Sequence, residues 1–273
     1  VSQPGMEGGN AVADVLCGAV NPSGKLTDSW AMDYKDYPNA ATFSHNNGDV
    51  HKELYTEGIY VGYRYFDSFE LPVRYGFGYG GSYTTFALGT PAVRCEKMGQ
   101  ATVEVAVTNT GAVAGRQVVQ VYAGLPDGKL EKEARRLVAF AKTGTLEPGA
   151  SETLTLTFGP EELESYDESQ SAWLLEQGVY GVYVGFSLAE SQLAASLVLE
   201  SDKVLCRTED ICPLQQPLET LSLDAARRAA RYEAMKQQAA GLPQLAYDLS
   251  DIATRMVDYR LEEPADEAAQ LVD

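Results

Sequence analysis

Thr102-Val103-Glu104-Val105-Ala106-Val107, followed by Asn109-Thr110-Gly111, is the stretch on which the fold turns. Three valines alternate with Thr102, Glu104 and Ala106, the period of a strand with one buried face. Asn109-Thr110-Gly111 then supplies a turn. The pattern repeats downstream. Val118 to Tyr122 is dense in β-branched residues and reads as a second strand, and Leu137 to Lys142 as a third. Leu146-Glu147-Pro148-Gly149 is a turn, after which Leu154, Leu156 and Phe158 alternate again. Ala172 to Leu175 and Val179 to Val184 flank Glu176-Gln177-Gly178 and read as a hairpin, and Leu193 to Leu199 closes the series. About seven short strands with regular turns predict a β-sandwich over residues 87–207. Trp173, Tyr180 and Tyr183 are expected as core or sheet-face aromatics.

Upstream the character differs. Pro4-Gly5 and Gly8-Gly9 mark turns. Asn10 is expected to cap a helix from Ala11 to Leu16, with Val12, Val15 and Leu16 on one face and Gly18 ending it left-handed. So short a helix is unstable alone. It needs a sheet to dock on, and none is encoded before it, which reads as a chain that is part of a larger protein. Asp33 to Lys52 reads as loop. Ile59 to Phe66, aromatic and β-branched, reads as a strand or extended segment.

Three ordered motifs carry a resemblance. Pro4-Gly5-x-Glu7-Gly8-Gly9-Asn10-Ala11-x-Ala13-Asp14-Val15-Leu16 leads into Asn21-Pro22-Ser23-Gly24-Lys25-Leu26. Tyr55-Thr56-Glu57-Gly58-Ile59-Tyr60-Val61-Gly62-Tyr63-Arg64-Tyr65-Phe66-Asp67 and Tyr75-Gly76-Phe77-Gly78-Tyr79-Gly80-Gly81-Ser82-Tyr83-Thr84-Thr85-Phe86 follow. In this order they resemble the second domain of glycoside hydrolase family 3, the β-glucosidase and β-xylosidase group. Gly81 stands where that family usually has Leu. The resemblance covers the chain to about Arg207. It implies the last portion of an α/β sandwich domain at 1–86, with an incomplete sheet and exposed apolar surface, followed by a fibronectin-III-like domain. It also implies a parent enzyme that hydrolyses terminal β-linked sugars with retention. In the family the nucleophile is an Asp of a barrel domain, and the acid/base Glu lies upstream of the Pro-Gly-x-Glu-Gly-Gly segment. Neither stretch is within residues 1–273. The chain is thus expected to be a non-catalytic scaffold with no glycosidase activity of its own. The alternative is a stand-alone carbohydrate- or protein-binding β-sandwich module.

From Thr208 the pattern turns helical. Ser222 is expected to cap a helix through Ala240, which Gly241 and Pro243 stop. A second helix is expected from Ser250, with Leu249, Ile252, Met256 and Tyr259 on one side, and a third from Pro264. The fold class is therefore mainly β: an incomplete α/β sandwich segment, a fibronectin-III-like β-sandwich and a helical C-terminal tail at 208–273. Such a tail resembles the connector of permuted family members, in which the barrel follows. A conventional order with an appendage is the alternative.

The remaining residues are weighed one by one. Glu7 reads as a helix-end carboxylate rather than a substrate contact. Glu57, Arg64 and Asp67 read as a structural ion-pair network across the domain junction rather than a cleft lining. Tyr60, Tyr63, Tyr65 and Phe66 read as inter-domain packing rather than sugar-stacking platforms. His45, Asp49, His51 and Glu53 have zinc-ligand chemistry but read as a solvated loop. Gly76-Phe77-Gly78-Tyr79-Gly80-Gly81 matches a dinucleotide fingerprint formally, yet β-prone residues follow it where a helix is needed. It reads as a linker. This assigns no catalytic residue, no cofactor and no metal, and names no substrate-binding residue.

Composition narrows the partners. Of the 273 residues 39 are acidic and 21 basic, a formal net charge of −18. That field repels phosphate backbones and anionic membranes, so neither nucleic acid nor membrane is an expected partner. The run from Glu161 to Glu176 reads as a solvated face. Cys17, Cys95, Cys206 and Cys212 lack metal or redox spacing. They read as free thiols, which favours the cytoplasm, against a local Cys206–Cys212 disulfide.

Overall fold

The computed structural model describes residues 5–44 and 48–257. In chain order the elements are α1 (Gly8–Leu16), β1 (Trp30–Ala31), α2 (Tyr63–Ser68), β2 (Val73–Tyr75), β3 (Phe86–Leu88) and β4 (Ala92–Cys95). There follow β5 (Ala101–Asn109), β6 (Val118–Gly124), β7 (Arg135–Lys142), β8 (Ser151–Phe158), β9 (Ser165–Asp167), β10 (Ala172–Leu175) and β11 (Gly178–Gly185). The chain continues with β12 (Gln192–Leu199), β13 (Lys203–Arg207), α3 (Ala225–Ala239), β14 (Gln244–Ala246) and β15 (Arg255–Met256).

The valine alternation does what its period demands. Val103, Val105 and Val107 are buried, and β5 pairs antiparallel with β8 so that Val103 lies opposite Leu156 and Val105 opposite Leu154. The short strands β3 and β4 share the other edge of β5. A second sheet runs β14-β12-β11-β6-β7. Val119, Val121, Val182, Val184 and Leu197 of that sheet join the β5 and β8 residues in one hydrophobic core. Each such side chain contributes about 1.5–3 kcal/mol when fully buried, so the sheet-to-sheet core dominates stability. A third sheet runs β15-β13-β10-β9.

Glu176-Gln177-Gly178 is not a hairpin turn. β10 pairs with β9 and β13, whereas β11 pairs with β12 and β6. The chain crosses between sheets here because Glu176 turns inward. Its carboxylate accepts from Lys129 N (2.7 Å) and Leu130 N (3.1 Å) and pairs with the buried Lys132 ammonium. The acidic run is accordingly no uniform solvated face: Glu176 is buried, and Glu164 Oε2 is buried without a hydrogen-bond partner among the described residues.

Residues 5–86 contribute little sheet, β1 paired with β2. Most large apolar side chains exposed among the described residues belong to this segment, including Val12 and Leu16 on α1. α1 starts at Gly8, two residues before the expected cap. Asn10 lies inside the first turn and donates to Glu7 Oε2 (2.6 Å). Gly18 ends the helix at φ 75°, as expected.

Ile59 to Phe66 is not a strand. Gly62 takes φ 59°, a left-handed value that admits glycine freely, and α2 begins at the next residue. Packing overrides β-propensity here. Tyr60, ahead of the helix, and Phe66, within it, are both buried, Tyr60 against Phe69 (ring centroids 5.0 Å) and Phe66 against Tyr37 (5.6 Å).

Among the described residues the tail carries one long helix, α3, capped by Asp224 rather than Ser222; Asp224 Oδ1 accepts from Arg227 N at 3.1 Å. Ser222 serves elsewhere. From Ser250 the structure has a turn and β15 instead of a second helix. Leu249 is buried in the sandwich core with Ile252 against it, and that packing holds the chain extended. Tyr259 and the third helix expected from Pro264 lie outside the described residues. β14 and β15 add in parallel to β12 and β13. All four cysteines are free. Cys206 is buried in β13 and Cys212 is exposed, so the alternative disulfide is not formed.

Candidate functional site

The charged residues converge where α2, the loop entering β7 and the start of α3 meet. Asp67, on α2, forms a bidentate pair with Arg135 at the head of β7; Arg135 Nε donates to Oδ2 at 3.1 Å and Nη2 to Oδ1. The same guanidinium donates to Leu188 O (3.0 Å) and Ser191 Oγ (2.9 Å) and lies 5.5 Å from the Tyr183 ring centroid. Burial works against the charge of Arg135, but the hydrogen bond and charge of Asp67 outweigh it and raise the guanidinium above its ordinary value.

Two carboxylates of the loop are held in the same manner. Glu133, 1% exposed, accepts from Arg136 Nε (2.7 Å) and Nη2 (3.2 Å), with Arg64 Nε at 3.5 Å. Burial opposes its ionisation, yet Arg136 and Arg64 keep its carboxyl below the usual range. Glu131 accepts from Tyr60 Oη, Ser222 Oγ and Leu223 N, each at 2.6 Å, and Arg228 Nη1 lies 3.4 Å away. Burial again opposes; the hydrogen bonds from Ser222, Tyr60 and Leu223 and the charge of Arg228 prevail and lower its value. Two backbone N–H groups complete the seam: Ala134 N donates to Ser68 Oγ and Leu137 N to Tyr63 Oη, both at 2.9 Å. Beside the seam lies a cleft of about 510 Å³, lined in part by Tyr63, Asp67, Arg135, Tyr183, Arg231 and Met235.

This arrangement holds parts together. A retaining glycosidase needs two carboxyl groups about 5–5.5 Å apart, one of them able to give up a proton near neutral pH. Glu131 and Glu133 are instead locked as carboxylates, and Asp67 is committed to Arg135.

Of the residues singled out in the sequence, Arg64 and Asp67 both reach the junction, on different partners. Glu57 makes no side-chain hydrogen bond or ion pair among the described residues. Tyr60 reaches across the junction through its hydroxyl on Glu131 and Tyr63 through its ring against Tyr122 (6.2 Å), with Phe77 at 4.5 Å, whereas Phe66 packs on Tyr37 and Tyr65 on Phe69 (4.9 Å) within their own segment. Trp173 is 38% exposed and lies against Tyr166 (5.1 Å); Tyr180 is in the core. Of the zinc-type set, His45 lies outside the described residues and His51 is exposed, its backbone N–H donating to Asp49 Oδ1 at 2.9 Å. The glycine run 76–81 pairs with Leu26 through Gly78 N and Tyr79 O and leads into β3, with no helix after it. Glu131, Glu133, Arg135, Arg228 and Arg231 went unnoticed in the sequence. The signal available was the charge-dense stretch Lys129-Leu130-Glu131-Lys132-Glu133-Ala134-Arg135-Arg136 between two apolar strands.

Residues 1–63 match the glycosyl hydrolase family 3 C-terminal domain, and residues 117–188 match the fibronectin type III-like domain. β-Glucosidase A of Butyrivibrio fibrisolvens is 42% identical over 212 residues, which is 70% of this chain and 25% of that protein. A β-glucosidase of Ruminococcus albus is 40% identical over 215 residues, covering 77% of this chain and 22% of its own length. Among solved structures, a β-glucosidase from Paenibacillus barengoltzii superposes with a TM-score of 0.69 at 43% identity, over 74% of this chain and 23% of that one. β-Glucosidase 3B from Thermotoga neapolitana, in complex with α-D-glucose, gives 0.68 at 38% identity over 73% and 28%. The chain spans about a quarter of the length of these relatives. It belongs to glycoside hydrolase family 3, carrying part of the family's C-terminal domain and its fibronectin type III-like domain.

Proposed function

We propose that these 273 residues are the non-catalytic scaffold portion of a retaining β-glucosidase-type hydrolase acting on terminal β-linked sugars, and that a barrel domain outside them supplies the nucleophile. The observation that carries this reading is the junction. Its three central carboxylates, Asp67, Glu131 and Glu133, are each bound by cations or hydrogen-bond donors and serve to join chain segments. The reading expects no turnover by the 273-residue chain on aryl β-glucosides or β-xylosides. Hydrolysis above a buffer control, retained after repurification, would sink it.

One observation favours the binding module as a second reading. Trp173 and Tyr166 form an exposed aromatic pair on β9 and β10, and aromatic faces suit sugar C–H surfaces. Calorimetric titration with soluble β-glucans decides between the two. Saturable binding lost in Trp173→Ala supports the module; no heat at millimolar sugar removes it.

A further inference from the structure

The tail stretch 220–239 lies outside both matched regions, and the structure gives it work. Leu221 N donates to Thr56 O at 2.7 Å. Ser222 and Leu223 both donate to Glu131, the carboxylate that also holds Tyr60. On α3, Arg227 Nη2 donates to Phe69 O (3.2 Å), and Arg231 donates to Ser68 O (3.3 Å) and Lys132 O (3.4 Å). Ser68 and Phe69 end α2, where helical carbonyls lack an internal partner and cations are favoured. Two arginines of the tail thus cap the last turn of α2.

The other side of α3 has a fitted seat. Gly124 of β6 and Gly181 of β11 are register partners, so they form a bare patch of backbone on the sheet. A Cβ on either would come within 2.8 Å of Met235 Sδ. Met235 and Ala239 are buried there, and Tyr232 Oη accepts from Val179 N at 2.8 Å. The seat takes α3 side-on while its arginines reach forward to α2.

We propose that residues 220–239 are a strap: a helix seated on the glycine patch that fastens the α2 segment to the sandwich, and whose loss frees that segment while the sandwich stays folded. The inference rests on these contacts and holds whether or not the parent hydrolyses β-glucosides.

Hydrogen–deuterium exchange on the full chain tests it with two variants. In the double variant Arg227→Ala, Arg231→Ala, amides of 63–71 should exchange at least tenfold faster, while those of β5 and β11 stay within twofold of the parent. Met235→Ala disturbs the seat without touching the arginines. It should accelerate exchange in α3 and in 63–71 together, again sparing β5. Unchanged protection of 63–71 in the arginine variant overturns the proposal. So does equal acceleration in β5, which would make α3 part of the sandwich's own stability. An unfastened α3 beside a still-protected α2 in Met235→Ala also refutes it.

Discussion

Replacing Asp67 with Ala removes one side of the central ion pair and leaves Arg135 behind. Losing one partner of a fully buried pair costs about 3–5 kcal/mol, because the stranded charge stays desolvated. Two features reduce that figure. Arg135 keeps its bonds to Leu188 O and Ser191 Oγ, and the Arg135 and Asp67 side chains retain 22% and 11% exposure. Roughly 2–3 kcal/mol remains, the range of one or two charge-assisted hydrogen bonds. The loss should fall on the α2 segment and not on the sandwich. The two tryptophans separate them: Trp30 lies on β1, tied to α2 through Tyr37, and Trp173 lies on β10. In a Trp173→Phe background, fluorescence during urea titration reports the first segment; in Trp30→Phe it reports the sandwich. With a urea dependence of about 1–3 kcal/mol per molar, Asp67→Ala should lower the Trp30 midpoint by on the order of 1 M. The Trp173 midpoint should move by a small fraction of that. Equal shifts, or an unmoved Trp30 transition, would refute the assignment of this pair as a junction fastener.

Glu131 and Glu133 bind protons less readily in the folded chain than in the unfolded one, so their stabilisation is complete above the unfolded value of about 4.3 and drains away as the pH drops through their lower folded values. The Trp30 midpoint should therefore decline with acidification below about pH 4, and less steeply in Glu133→Gln; parallel curves would contradict this. Leu156→Ala, opposite Val103 in the core, should cost about 2–5 kcal/mol and appear in the Trp173 transition, a calorimetric or urea measurement showing under 1 kcal/mol being the contrary result. Gly62→Ala places a Cβ on backbone at φ 59°, 3.2 Å from Asp28 Oδ1, and should destabilise the first segment by about 1–3 kcal/mol as read by Trp30.

What could be read from the residues follows from where each element gets its stability. β5 and β8 bury one face against the other sheet, so their apolar residues alternate and the pattern shows. β3, β4, β14 and β15 are short edge strands whose partners define them, and no local period marks them. Ile59 to Phe66 has strand-like composition, but Gly62 turns the chain left-handed and the helix after it sends Tyr63 to Tyr122 and Phe66 to Tyr37, contacts that no local period announces. The junction was harder still. Arg64 and Asp67 could be named because they sit in a family motif, whereas Glu131, Glu133 and Arg135 lie in a charged loop that looks solvated until α2 and α3 close over it. Glu176 misled for the same reason: a carboxylate two residues before a glycine looks like a turn until Lys132 and two backbone donors are brought to it from a distant loop.

The parallel addition of β14 to β12 and β15 to β13 has a consequence for biosynthesis. Both sheets are otherwise complete by Arg207, yet each then ends in a strand with an open row of backbone donors and acceptors, the arrangement through which chains pair with one another. The covering strands come up to fifty residues later, a delay of several seconds at roughly 5–20 residues per second of translation. Through that interval the nascent sandwich carries unguarded edges. Any shortened version ending near residue 207 would carry them permanently, would also lack Tyr247 and Leu249 of the core, and should show both as aggregation during expression.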